Sequence, residues 1–280
     1  MLELISWSKR KGERPRFKTG LVYLEEKRYS SAREYFKSGL TKRPDNAFLM
    51  AAYAVALAGA GDFPSARRFA RLAMDTDSKV WQAGVCLAHC HNRLGDYSQQ
   101  ANVAKILLTL WPDEAGNHII QADAYNNQGN FQRAVGHAKE AIRLKPELPH
   151  GHLQRGFAHL GMNNPENAVQ DAERTLECNG EKNMYPLFFD HALAGVVYLR
   201  LGNDGAARKH LVSGLESYDS GGFPHDREAY KRILMILECH AKLDENQKPK
   251  LEKLLAEIKA AEMKDFEEDR KLVHKLLKFT

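Results

Sequence analysis

Cys86-Leu87-Ala88-His89-Cys90-His91 packs four metal-binding side chains into six residues. On a helix Cys86 and Cys90 share a face, and the two histidines sit beside them. Four side chains leaving one helix within two turns cannot enclose an ion tetrahedrally, so the segment reads as packing, and no metal or cofactor is expected. Twelve histidines is a high count for 280 residues, and His118, His152 and His191 recur 34 and then 39 positions apart. Histidines in register are either hydrogen-bonded packing residues or a pH-sensitive seam. No nucleophile or acid recurs with them, and phosphate-binding, dinucleotide-binding and nucleophile-elbow patterns are absent, so the chain is expected not to be an enzyme.

The elements that hold these residues repeat. Small residues stand at Gly20, Ala54, Ala88, Ala122 and Gly156, each 34 after the last. Twelve residues further on come Ala32, Ala66, Ala134 and Ala168, with Gln100 the exception in the series. Gly61-Asp62-Phe63, Gly95-Asp96-Tyr97 and Gly129-Asn130-Phe131 each read as a helix stop followed by a helix start. Pro44, Pro112 and Pro146 close their units. Each unit is thus two short antiparallel helices whose backbones approach through Ala or Gly, and neighbours must stack to bury the apolar face.

Charge and composition bound the rest. Hydrophobic residues make up 43% and charged residues 28%, enough for a sizeable core but too polar for a membrane protein. The net charge of +5 is concentrated at the start, where residues 1–20 carry six basic and two acidic side chains. Residues 21–240 balance at 25 against 25, which argues against a basic nucleic-acid groove along the body. The N-terminal apolar run is short and its charges follow it, so no export signal is expected, and four sparse cysteines point to a reducing cytoplasm.

These residues resemble the tetratricopeptide repeat, with its 34-residue period; Gly20, Tyr23, Tyr29, Ala32, Phe36 and Pro44 match its pattern best. The resemblance implies an all-α, right-handed superhelical solenoid of stacked helix-turn-helix pairs. Units are expected at 13–46, 47–80, 81–114, 115–148, 149–182 and 188–221, after a basic and apolar segment at 1–12. An insertion in Glu181-Lys182-Asn183-Met184-Tyr185-Pro186 accounts for the phase slip before the sixth unit. Residues 222–280 carry amphipathic helical patterns and read as a C-terminal cap; the alternative is that the last helix docks on a partner or a second copy.

The resemblance also implies a concave groove lined by the first helix of each unit. Carried over, it assigns Phe17, Leu21 and Leu24, then Phe48, Ala51 and Val55, then Gln82, Val85, His89, Asn92 and Arg93. Ile119, Asp123, Asn126 and Asn127 follow, then His150, Leu153, Phe157 and Leu160, and finally Phe189, Ala192, Val196, Leu199 and Arg200. The groove so drawn has apolar ends and a polar middle, with Phe157 the sharpest candidate anchor. The carboxylate clamp of chaperone-binding members is missing: its slots hold Phe17 and Leu21, then Ala52, then Gln82 and Cys86. The function expected is a scaffold or adaptor that binds a peptide or helix of another protein for complex assembly. The rival is a peptide-sensing regulator whose basic N-terminal arm touches nucleic acid or an acidic membrane surface.

Overall fold

The computed structural model describes residues 17–182, 188–203, 205–207, 209–210 and 213. The basic arm at 1–12 and the cap at 222–280 lie outside them. Eleven helices and no strand are found among the described residues, in two compact units divided after Pro146.

The first unit holds α1 (Lys18–Glu25), α2 (Tyr29–Lys42), α3 (Ala47–Gly59), α4 (Phe63–Thr76), α5 (Trp81–Arg93), α6 (Tyr97–Leu110), α7 (Ala115–Asn127) and α8 (Phe131–Leu144). The odd-numbered helices form an inner layer, α3 touching α5 and α5 touching α7, and each packs on the even-numbered helix that follows it. The second unit holds α9 (Pro149–Gly161), α10 (Pro165–Lys182) and α11 (Phe188–Arg200), with α10 against both α9 and α11.

The punctuation is physical at every turn. Gly61, Gly95, Gly129 and Gly202 take φ of 87°, 76°, 73° and 75°. In the same slot of the 34-residue period Lys27 and Asn163 adopt 56° and 58° without glycine. Each is followed by a residue whose N–H reaches back five positions, as Asp62 to Leu57, Asp96 to His91 and Asn130 to Tyr125, closing the helix end. Asp62, Asp96, Asn164 and Asn203 then cap the next helix through their side-chain oxygens.

Small residues do what the period requires. A Cβ on Gly20 would run into the Tyr35 ring, and one on Gly156 would lie 2.6 Å from Leu193 Cδ2. The outer helices α4 and α8 bury only alanines, Ala66, Ala70 and Ala73 in one and Ala134, Ala138 and Ala141 in the other. The phase slip has a visible part: α10 runs 18 residues where α2, α4, α6 and α8 run 14.

The neutral total over the body hides a separation of charge. The four outer helices α2, α4, α6 and α8 carry ten Lys and Arg against three Asp and Glu. Their inner partners α1, α3, α5 and α7 carry two of each sign. The even balance read from the sequence is therefore not an even surface.

Candidate functional site

In the first unit the polar middle of the expected groove is built around one carboxylate. Asp123 on α7 is 2% exposed, and its Oδ2 accepts hydrogen bonds at 2.8 Å from both Asn92 Nδ2 on α5 and Gln100 Nε2 on α6. Asn92 also donates to Gln100 Oε1 at 3.3 Å. Gln100, the exception in the alanine series, is fully buried and is what lets three consecutive helices meet at a charge. One turn beyond Asp123 stand Asn126 and Asn127, and beside Asn92 stands Arg93, all three half-buried. Arg93 lies over the Phe63 ring at 4.8 Å, and Phe63 meets His89 edge-on at 5.9 Å.

The remaining groove slots divide by exposure. Phe17 and Phe48 stack on each other at 5.8 Å and, with Leu21, belong to the buried core. Gln82 and Ile119 are also buried. In the second unit His150 and Leu153 are buried, while Phe157, Phe189 and Arg200 are half-buried. Phe157 packs against the apolar cluster of Leu153, Leu160, Leu193 and Val196, so an aromatic there has a structural use that its slot in the repeat does not assign to it. Arg200 spends its guanidinium on the turn after α9, with Nη1 2.8 Å from Asn163 Oδ1 and 3.4 Å from the Leu160 carbonyl.

The metal-like segment does not converge. Cys86 and Cys90 are fully buried, and their mutual hydrogen bond, with burial, pushes the Cys86 thiol well above its ordinary value. His89 faces Phe63, whereas His91 Nδ1 lies 3.4 Å from Asp96 on another side. Burial, opposed by Asp96 and helped by Arg67 and Arg71, lowers the His91 pKa.

Each recurring histidine faces a side chain nineteen positions later in its own repeat. His118 Nδ1 lies 3.3 Å from His137 Nδ1, and His191 Nδ1 lies 3.1 Å from His210 Nδ1, with Tyr125 and Tyr198 packed on the second ring of each pair. His118 Nε2 faces the Pro112 carbonyl at 3.1 Å, so that nitrogen carries the proton and Nδ1 accepts from His137. Burial first, and then the partner ring, lower the pKa of His137 and His191; burial and Lys209 lower that of His210. At the equivalent place in the unit between, Asp171 replaces the second histidine. It takes a bidentate pair from Arg155, at 3.0 Å from Nε and 2.7 Å from Nη2, with His152 at 3.5 Å.

Two buried amides had no sequence signal beyond polarity at a core slot. Asn117 accepts from Trp81 Nε1 at 2.9 Å and donates to the Leu107 and Trp111 carbonyls, tying the end of α6 to α7. Asn179 donates to Asp190 Oδ2 at 2.7 Å, tying α10 to α11.

A tetratricopeptide repeat family profile matches residues 23–85. Among solved structures, the chain aligns with a thermophilic tetratricopeptide-repeat protein of Thermus thermophilus, TTC0263, at 20% identity, over 66% of this chain and 95% of that one, with a TM-score of 0.53. Residues 23–85 thus resemble that family in sequence, and the described helices share the fold of its arrays. The APC/C hetero-tetramer Cut9-Hcn1 aligns over 92% of this chain and 47% of that one, at 18% identity and a TM-score of 0.69. PilW, a type IV pilus biogenesis factor, aligns over 80% and 99%, at 14% identity and a TM-score of 0.61. No curated protein matches the chain significantly in sequence. At these identities the likeness carries the fold of this repeat protein. No described helix is long and apolar enough to cross a membrane.

Proposed function

We propose that this tetratricopeptide-repeat protein is a non-enzymatic scaffold that holds a peptide or helical segment of another protein against its inner helices for complex assembly. The observation that supports it is the shelf in the first unit, where Asp123 is fixed by Asn92 and Gln100 and flanked by half-buried Arg93, Asn126 and Asn127. The buried carboxylate and its two amides hold α5, α6 and α7 in place, and the half-buried Arg93, Asn126 and Asn127 on that fixed base offer donors and acceptors that suit an extended backbone or the end of a helix. Fixing them before the partner arrives reduces the ordering cost of binding. The second unit, taken by itself, has Phe157 and Phe189 partly open on its assigned face.

The test is affinity capture from a native lysate with mass spectrometry, run beside the variant Arg93→Ala/Asn126→Ala/Asn127→Ala. Partners specific to the shelf should be lost from the variant while its helicity and melting stay within about 2 °C of the parent. A partner set indifferent to the triple substitution would remove the shelf from the binding surface.

A further inference from the structure

The outer helices of the first unit carry a second feature that the groove does not use. Lys37 on α2, Arg71 on α4, Lys105 on α6 and Lys139 on α8 are 34 residues apart and all exposed. None is paired with a carboxylate among the described residues. On α4 the row thickens, since Arg67 and Arg68 are exposed and equally unpaired. Arg67 and Arg71 lie one turn apart on a single helix face, an arrangement that weakens an isolated helix unless an anion lies between them. They open onto a pocket of about 470 Å³, whose wall also includes Phe69, Leu72, His91 and the single carboxylate of Asp75. His91 contributes little opposing or added charge, because burial keeps its ring toward the neutral form.

Apolar side chains share this face. Leu72 is 47% exposed, Ile106, at the same slot of the next unit, 44%, and Leu110 41%. A nucleic-acid backbone would satisfy the arginines and leave these three in water. A protein segment with acidic and large apolar residues covers both, and guanidinium groups match carboxylates in a two-point geometry.

We infer that the outer face of α4 and α6, centred on Arg67, Arg71 and Leu72, is a docking surface for an acidic segment of a partner protein that carries leucine or phenylalanine between its carboxylates. It is separate from the inner shelf, so a chain could hold one partner inside and another outside.

The probe is a fluorescein-labelled fifteen-residue peptide alternating Asp or Glu with Leu or Phe, titrated with the full chain by anisotropy at several salt concentrations. Arg67→Glu/Arg71→Glu should weaken binding at least about tenfold and flatten its salt dependence. Lys105→Glu should weaken it by about threefold and Leu72→Ser by a similar factor, with circular dichroism unchanged for all three. Asn127→Ala on the inner shelf should leave this affinity alone, which separates the failure of one surface from failure of the other. Equal affinity for the charge-reversed and parent chains overturns the inference. So does tighter binding of an oligothymidine or of phosphatidylserine vesicles than of the peptide, or equal binding of a peptide with serine at every apolar position.

Discussion

Helices α3 and α4 are neighbours in sequence and in space, yet they differ sharply in charge and burial. The thirteen residues of α3, Ala47–Gly59, include no charged side chain, and eleven of them are buried. The fourteen of α4 include three arginines and one aspartate, and only Ala66, Ala70 and Ala73 are buried. The inner helix is covered on several sides, by α2, α4 and α5, so its whole circumference must be apolar or hydrogen-bonded. Outer α4 has one narrow buried stripe, which alanine fills at close approach, and the rest of its surface is left to water and charge. The layers therefore divide the work: shape and buried polar order inside, charge outside.

The largest test of that division compares two leucines. Leu87→Ala, at a fully buried side chain of α5, should cost about 3 kcal/mol in denaturant unfolding, whereas Leu72→Ala, at an exposed side chain of α4, should cost under about 0.5 kcal/mol. Similar losses at both would mean that the outer face is covered. Next comes the one outer slot that breaks the alanine rule. Gln100→Ala restores the array's usual residue, yet it should cost about 2 kcal/mol, because Asp123 loses a donor in a buried place. Gln100→Ala/Asp123→Ala should be less destabilised than the sum of its single substitutions, and strict additivity would show that the two side chains are not coupled.

Acid titration sharpens the comparison across the layers, since the His118–His137 pair joins inner α7 to outer α8. His137, His191 and His210 have folded pKa values below the ordinary 6.5, so the unfolded chain binds protons first as the pH falls. Their contribution is complete above about pH 6.5 and is lost on acidification towards the folded values. Melting should fall by about 4 °C between pH 7 and pH 5, and His137→Phe should reduce that fall. A melting temperature that rises over this range reverses the assignment. A further comparison belongs to the turns. Gly95→Ala should cost about 1 kcal/mol from its φ of 76° alone, because a Cβ there meets nothing within 4 Å. A neutral result would show that the turn tolerates side chains as it does at Lys27 and Asn163.

How far the residues alone reach can be argued from single slots. Gly20, Gly61, Gly95 and Gly129 announce turns and close contacts because glycine meets those demands at the least steric cost, and the 34-residue period follows from them. Gln100 stands out as an exception to the alanine series, yet nothing local says that it meets Asp123, 23 positions on, and Asn92, eight positions back. His118, His152 and His191 are in register, but whether they bond to one another or sideways depends on the residues nineteen positions later, His137, Asp171 and His210. Lys27 holds a glycine-like turn against its residue preference, whereas Asn163 is a type that enters the left-handed region readily.

Helix pairs, their order and the small-residue contacts are set by local spacing, since backbone sterics, capping and the helical period act over a few residues. Which polar groups are buried together, which histidine takes which partner, and the gathering of charge on one layer of a chain with a neutral body arise only when distant residues are brought to a few ångströms. Hydrogen bonds and Coulomb interactions depend on those distances and on exclusion of water, and neither quantity exists before the helices pack.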